Sequence, residues 1–292
     1  MIAVKGLRFS YSRKSKQKGD APTLKGLDFE VQSGEIFGFL GPSGSGKSTT
    51  QKLLTGILAG YDGSIVVKGR ELSAWDNSYY REIGVGFEMP NHFPKLTALE
   101  NLKLFAAFYD GNTLDPMTLL EQLGLAADAN KQVGAFSKGM KMRLNFARAI
   151  MHRPGIVFLD EPTAGLDPMN ARTMKQIIKT LKAQGCTVFL TTHNMLDAEE
   201  LCDRIAFIVD GQLATIGNLA QMKRTFGEPS VVVEYRTGGE SESLQKAAFG
   251  LQTLAEDADF QRILATAKLW SIHSQEASVE EIFFKATGTK LA

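Results

Sequence analysis

The stretch "GPSGSGKSTT", residues 41–50, decides how the chain is read. Its glycines at 41, 44 and 46 make it a poor helix or strand. Yet it sits between an apolar run, "IFGFL" at 36–40, and a helix-like run, "TTQKLLTGIL" at 49–58. A strand, a lysine-tipped glycine bend and a helix in immediate succession fit Gly41-x-x-x-x-Gly46-Lys47-Ser48, the spacing of a phosphate-binding loop.

The chemistry explains the residue types. A polyphosphate carries several negative charges, which backbone N–H groups turned inward can solvate. Glycines permit the turn and the close approach of phosphate oxygens, and the following helix offers its positive N-terminal end to the same anion. Lys47 places a point charge on the β and γ phosphates, and Ser48 offers a hydroxyl to Mg²⁺. The strand before and the helix after separate this reading from a chance match in a Gly/Ser-rich turn.

A second element points the same way. "IVFLDEP", residues 156–162, is an apolar strand ending in two carboxylates. A parallel sheet delivers the C-terminal ends of its strands to the edge where ligands sit. There Asp160 is positioned to hold Mg²⁺, directly or through water, and Glu161 to polarise a water aimed at the γ-phosphate. Taken alone, the pair is equally an ordinary strand end with solvated acids.

Bulk properties set limits. The 292 residues allow one large domain or two smaller ones and bury a core without staples. With 33 basic against 32 acidic residues, net charge gives no reason to expect a nucleic-acid partner. Two cysteines, Cys186 and Cys202, make no disulfide framework. No apolar run approaches the ~20 residues of a bilayer span, and the N-terminus lacks a secretory pattern. The expectation is a cytoplasmic chain that needs a partner if it works at a membrane.

Along the chain, "IAVKGLRFSY" and "TLKGLDFEV" read as strands separated by the basic insert 12–20, taken as a solvated hairpin tip. Residues 96–152 carry apolar positions at helical spacing and read as a helical insertion. Strands and helices then alternate, and the uninterrupted "IVFL" and "TVFL" suggest a parallel sheet buried on both faces. The expected class is therefore α/β. From about residue 226 the pattern resets to two strands, "SVVVEYR" and "KLWSIHS", and a serine-capped helix, "SVEEIFFKATG". Residues 1–225 thus read as one domain and 226–292 as a small C-terminal α+β appendage.

The order of elements resembles the ATP-binding subunit of an ABC transporter across residues 1–225. The loop "GPSGSGKST" is followed by a signature element, "FSKGM" at 136–140, then by "IVFLDEP", by "TAGLDP" as the D-loop, and by "FLTTHNM" with its switch histidine, His193. The resemblance implies a RecA-like P-loop NTPase core with an N-terminal antiparallel β subdomain and an inserted helical subdomain. It implies ATP and Mg²⁺ as ligands, with Tyr11 stacking on adenine and Gly41, Pro42, Ser43, Gly44, Ser45, Gly46, Lys47, Ser48 and Thr49 around the phosphates. Two such domains would pair head to tail, with Ser137 and the backbone of Gly139 reaching the γ-phosphate in trans. His193 would align the water with Glu161, and Asp167 would link the two sites.

Two departures stand out. "FSKGM" replaces the common LSGGQ, keeping the serine and second glycine, and is similar to variants in bacterial exporters of drugs, lipids or polysaccharides. Glu88 stands where the family carries a glutamine, and its carboxylate is expected to bind Mg²⁺ beside Ser48 and Asp160 and to face the membrane partner. The tail "ASVEEIFFKATG" resembles that of drug-efflux subunits. The reading is an exporter ATPase that acts peripherally on the inner membrane face, with a separate transmembrane permease and a second ATP-binding subunit, identical or not. A soluble assembly ATPase and an importer subunit are the alternatives.

Overall fold

The computed structural model describes residues 1–11, 22–111, 113–237 and 243–288; the basic insert read as a hairpin tip lies outside them. Alternating apolar residues at the N-terminus form β1 (Ile2–Phe9) and β2 (Leu24–Val31), paired antiparallel from Ile2↔Val31 to Phe9↔Leu24. β3 (Ile36–Leu40) is buried at every position and runs through the glycine bend into α1 (Lys47–Leu54). β4 (Asp62–Val67) and β5 (Arg70–Glu71) then complete a four-stranded sheet of order β2-β1-β4-β5.

After the short helix α2 (Tyr79–Glu82), β6 (Ile83–Gly86) leads into the helical segment. Local chemistry sets each helix start there. α3 (Ala98–Ala106) opens on a Thr97/Glu100 capping box, and α4 (Pro116–Gln122) on an Asp115 cap with proline at its first position. α5 (Lys138–Ile150) opens on Ser137, whose hydroxyl accepts the Met140 N–H at 3.2 Å. α3, α4 and α5 all fall within residues 96–152.

The elements that follow are β7 (Ile156–Asp160), α6 (Pro168–Ala183), β8 (Thr187–Thr192), α7 (Met195–Leu201), β9 (Arg204–Val209) and β10 (Gln212–Asn218). They build a six-stranded sheet of order β10-β9-β3-β8-β7-β6, in which β9, β3, β8, β7 and β6 run parallel. Its central strands β3, β7 and β8 are buried at every position because both faces are covered. Ile36, Val157, Leu159, Val188 and Leu190 enter a core with α3 to α6. Their alternates Phe37, Phe39, Phe158 and Phe189 enter a second core with the antiparallel sheet and α1. In this second core, rings of Phe29, Phe37, Phe39 and Phe158 lie 5.5–6.3 Å from that of Phe189 or of Phe29.

The chain divides into two compact units between Ile216 and Gly217. The sequence reading set this boundary at 225; the difference is α8 (Leu219–Phe226), which lies in the second unit and packs there on the final helix. The second unit holds β11 (Ser230–Arg236), β12 (Gln245–Gly250), α9 (Ala258–Thr266), β13 (Lys268–Gln275) and α10 (Val279–Thr287). Its antiparallel sheet has the order β12-β11-β13, and Val231, Val233, Phe249 and Ile263 form its core.

Candidate functional site

Parallel register fixes the site. Leu40 pairs with Thr192, Thr191 with Asp160, and Leu159 with Gly86. The C-terminal ends of β3, β8, β7 and β6 thus emerge side by side, about 4.8 Å apart. They deliver in a row the glycine bend, His193, Asp160 with Glu161, and the segment holding Glu88.

The bend wraps over α1. Gly41 lies so close to β9 that a Cβ there would sit 2.1 Å from the Ile208 carbonyl oxygen, so no other residue fits. Gly46 turns the chain into α1 with φ of 109°, and Thr50 N–H donates to its carbonyl at 2.9 Å. The Lys47 ammonium donates to the carbonyls of Gly41 at 2.7 Å and Pro42 at 3.0 Å, which holds it against the bend. These bonds use two of its three N–H groups, leaving one for an anion. Burial pushes the Lys47 ammonium below the usual lysine range, opposed by Glu161, Asp160 and Glu88. All three carboxylates are therefore within electrostatic reach of it. Ser45 has a buried hydroxyl with no protein partner, while Ser43 and Gly44 are exposed.

Asp160 is buried, and its Oδ1 accepts the Thr191 hydroxyl. Gln51 of α1 approaches that hydroxyl from the other side, Oε1 to Oγ1 at 3.2 Å. Glu161 follows in a left-handed conformation, φ 48°, that disfavours non-glycine residues by about 1–3 kcal/mol. Its Oε2 accepts the Thr192 hydroxyl at 2.9 Å, and its Oε1 accepts His193 N–H at 2.8 Å, with His193 Nδ1 at 2.7 Å. Glu161 is thus held by the end of β8, and the exposed imidazole keeps Nε2 free of that contact.

Tyr11 is 60% exposed; its hydroxyl lies 3.2 Å from that of Thr49, and its ring meets Phe9 edge-on at 5.0 Å. That places an open aromatic face beside the first turn of α1. Ser137 caps α5 and is exposed. A Cβ on Gly139 would lie 3.3 Å from Leu166 and 3.5 Å from the Gly165 carbonyl oxygen, so the first turn of α5 rests on the loop that follows Glu161. Asp167 caps α6, accepting the N–H groups of Met169 at 3.1 Å and Asn170 at 3.0 Å. Ser137, Gly139 and Asp167 are not brought to the glycine bend of the same chain by any hydrogen bond among the described residues.

Some residues that build the site escaped the sequence reading. Asn145 donates to the Phe87 carbonyl at 2.8 Å, Arg148 to that of Asn91 at 2.7 Å, and His92 Nε2 faces that of Lys141 at 3.0 Å. These bonds stitch the Glu88 segment to α5. Nothing in an isolated helix pattern distinguishes such contacts from a solvated face.

Magnesium fits this donor set. Among the described residues, no three His, Cys, Asp or Glu side chains gather into a metal cage. Mg²⁺ held with a polyphosphate uses one or two protein oxygens and the substrate's own. The Ser48 hydroxyl in the first turn of α1 and the Asp160 carboxylate are of that kind.

Fold and site together define a P-loop nucleotide-binding domain. The sequence profile described as ABC transporter matches residues 24–164. A second profile, that of a fluoroquinolone efflux ABC transporter C-terminal domain, matches residues 230–276. The chain is 49% identical over 291 residues to a fluoroquinolones export ATP-binding protein of Mycobacterium tuberculosis, covering 100% of this chain and 94% of that protein. It is 29% identical to a linearmycin resistance ATP-binding protein of Bacillus subtilis, covering 100% of this chain and 99% of that one. A dimeric ATP-binding cassette solved in a post-hydrolysis state with ADP and Pi superposes with a TM-score of 0.68 at 27% identity, covering 75% of this chain and 99% of that one. The chain belongs to the ABC transporter family as an ATP-binding, ATP-hydrolysing subunit.

Proposed function

We propose that this subunit energises export of an amphiphilic compound through a separate transmembrane permease, working at the inner face of the membrane. Relatives named for export of fluoroquinolones and of Nod factor, and for linearmycin resistance, support the direction. So does the efflux-type profile over the second unit. No helix among the described residues is long and apolar enough to cross a membrane.

In this reading the amides of residues 43–48 and the Lys47 ammonium bind the β and γ phosphates, and Tyr11 stacks on the base. Ser48 and Asp160 hold Mg²⁺, which when bound neutralises charge on the phosphate oxygens. Glu88 adds a carboxylate to that set and carries the permease's signal. Glu161 accepts the proton of the attacking water, while His193, tied to Glu161 through Nδ1, directs Nε2 to the γ-phosphate. Ser137 and the Gly139 amide of a second ATP-binding subunit close the site from the opposite side. Asp167, next to that interface, links the two sites.

The observation that carries this reading is the convergence of Lys47, Asp160, Glu161 and His193 on one sheet edge, in a chain nearly half identical to an export subunit. Its test is drug accumulation in cells carrying the subunit with its cognate permease. Intact chain should lower accumulation of a fluorescent amphiphilic cation and Lys47→Ala should not. Equal accumulation in the two strains would refute energised export.

A further inference from the structure

Glu161 and the D-loop are joined by a second connection, away from the nucleotide. The loop leaving Glu161 is a run of tight turns: Ala164 N–H donates to the Glu161 carbonyl at 3.1 Å and Leu166 N–H to that of Thr163 at 3.1 Å. Asp167 then caps α6. In the middle of this loop the Thr163 hydroxyl donates to Asp197 Oδ2. Asp197 lies in the first turn of α7, the helix that begins two residues after His193. Its carboxylate is 9% exposed, and its other oxygen lies 3.4 Å from the Lys175 ammonium of α6. Lys175 is itself held by Glu200, which also binds Lys179 at 3.0 Å.

The contacts close a ring. Starting at Glu161, it passes through the Thr192 hydroxyl, which accepts Asn194 N–H at 2.9 Å, to Asn194, which caps α7. It continues to Asp197, crosses to Thr163, and returns along the backbone to Glu161. A buried carboxylate that accepts one hydroxyl and faces one ammonium has a fixed place, since leaving either partner would cost the desolvation of an unpaired charge. Turning α7 therefore turns the loop that carries Leu166, on which Gly139 rests.

We propose that Asp197 is a positioning residue: through Thr163 it locks the D-loop to the His193 switch, so that Glu161 and the loop beside the signature element move as one body. The inference rests on Glu161 and His193 being the hydrolytic pair. It assigns Asp197 no contact with nucleotide. The bond to Thr163 carries the coupling, and the Lys175 ammonium keeps the carboxylate in place.

The test is a double-mutant cycle on Mg-ATP hydrolysis by the full chain, with ATP affinity and melting temperature measured on every variant. Thr163→Val keeps the side chain's shape and removes the hydroxyl. Misplacing a reacting group by about 1 Å costs up to about a hundredfold, so Thr163→Val and Asp197→Ala should each lower kcat roughly ten- to a hundredfold. KM for ATP should stay within about threefold, and the double variant should fall no lower than the worse single one. Thr163→Ser restores the donor and Asp197→Asn an acceptor, so both should recover most of the turnover.

Unchanged kcat in Thr163→Val, or losses that multiply in the double variant, overturns the proposal. So does a fall in kcat and ATP affinity together with melting temperature, which marks a merely structural contact. Glu161→Gln in the same assay separates the two levels. If it abolishes turnover while Thr163→Val does not, the positioning role alone fails. If Glu161→Gln hydrolyses ATP at the unmodified rate, the hydrolytic assignment fails and the positioning role with it.

Discussion

Replacing Glu161 by glutamine isolates its basicity from its shape. The carboxylate accepts three protein contacts, from Thr192 Oγ1 at 2.9 Å, His193 N–H at 2.8 Å and His193 Nδ1 at 2.7 Å. A glutamine amide can keep its oxygen toward His193 N–H and turn its NH₂ toward the Thr192 hydroxyl, which is able to accept. The fold should lose about 1 kcal/mol or less, because neutral hydrogen bonds replace charge-assisted ones in the same places. The amide has no basicity to take a proton from water. General bases supply about 10²–10⁴ in rate, or about 3–5 kcal/mol of barrier. Turnover of Mg-ATP should therefore fall at least a hundredfold while ATP still binds, and the protein should shift to a dimer on size-exclusion chromatography with Mg-ATP. A steady-state phosphate-release assay reads the first effect. Turnover within about threefold of the unmodified chain, with the fold intact, would refute the assignment of Glu161 as base.

Lys47→Ala removes a charge-assisted donor worth about 1.5–3 kcal/mol, so ATP affinity by calorimetry should weaken about ten- to a hundredfold; an unchanged Kd contradicts the clamp. Glu88→Gln should raise the Mg²⁺ concentration needed for half-maximal turnover and alter permease stimulation; if neither moves, Glu88 is no metal ligand. Burial, helped by the nearby charges of Arg148 and Lys141, pushes His92 from its ordinary 6.5 down to about 4, outweighing the Lys141 carbonyl at Nε2, which favours the charged form; the buried Nδ1 has no partner for an added proton. The unfolded chain gains that proton first, so stability is full above 6.5 and falls by up to about 1.4 kcal/mol per pH unit toward 4. Denaturant titrations near neutrality and near pH 5 should show His92→Asn flattening this loss; equal losses in both proteins would contradict it.

The parallel core was legible because a strand covered on both faces must be apolar at every position, as in "IVFL" and "TVFL". The glycine bend was legible because Gly41 and Gly46 answer backbone demands that no other residue meets. The helix start at Ser278 followed from a side chain bonding its own backbone a few residues on. What stayed hidden was contact between segments distant in sequence. β12, "QKAAFG", has little strand character of its own and is held by pairing with β11 from Ser230↔Gly250 to Tyr235↔Gln245. Thr163 and Asp197, 34 residues apart, are ordinary polar residues until β7 and β8 bring their segments together. Asn145 and Arg148 read as any polar positions on α5, although they hold the Glu88 segment.

The central claim is that the bend at residues 41–48 grips the nucleotide's phosphates. A crystal structure of the Glu161→Gln chain with Mg-ATP tests it most directly. The β and γ phosphates should lie within hydrogen-bond reach of the amides of residues 43–48, with the Lys47 ammonium turned from the Gly41 and Pro42 carbonyls toward them. A nucleotide seated anywhere else, or none bound at millimolar concentration, would contradict the claim.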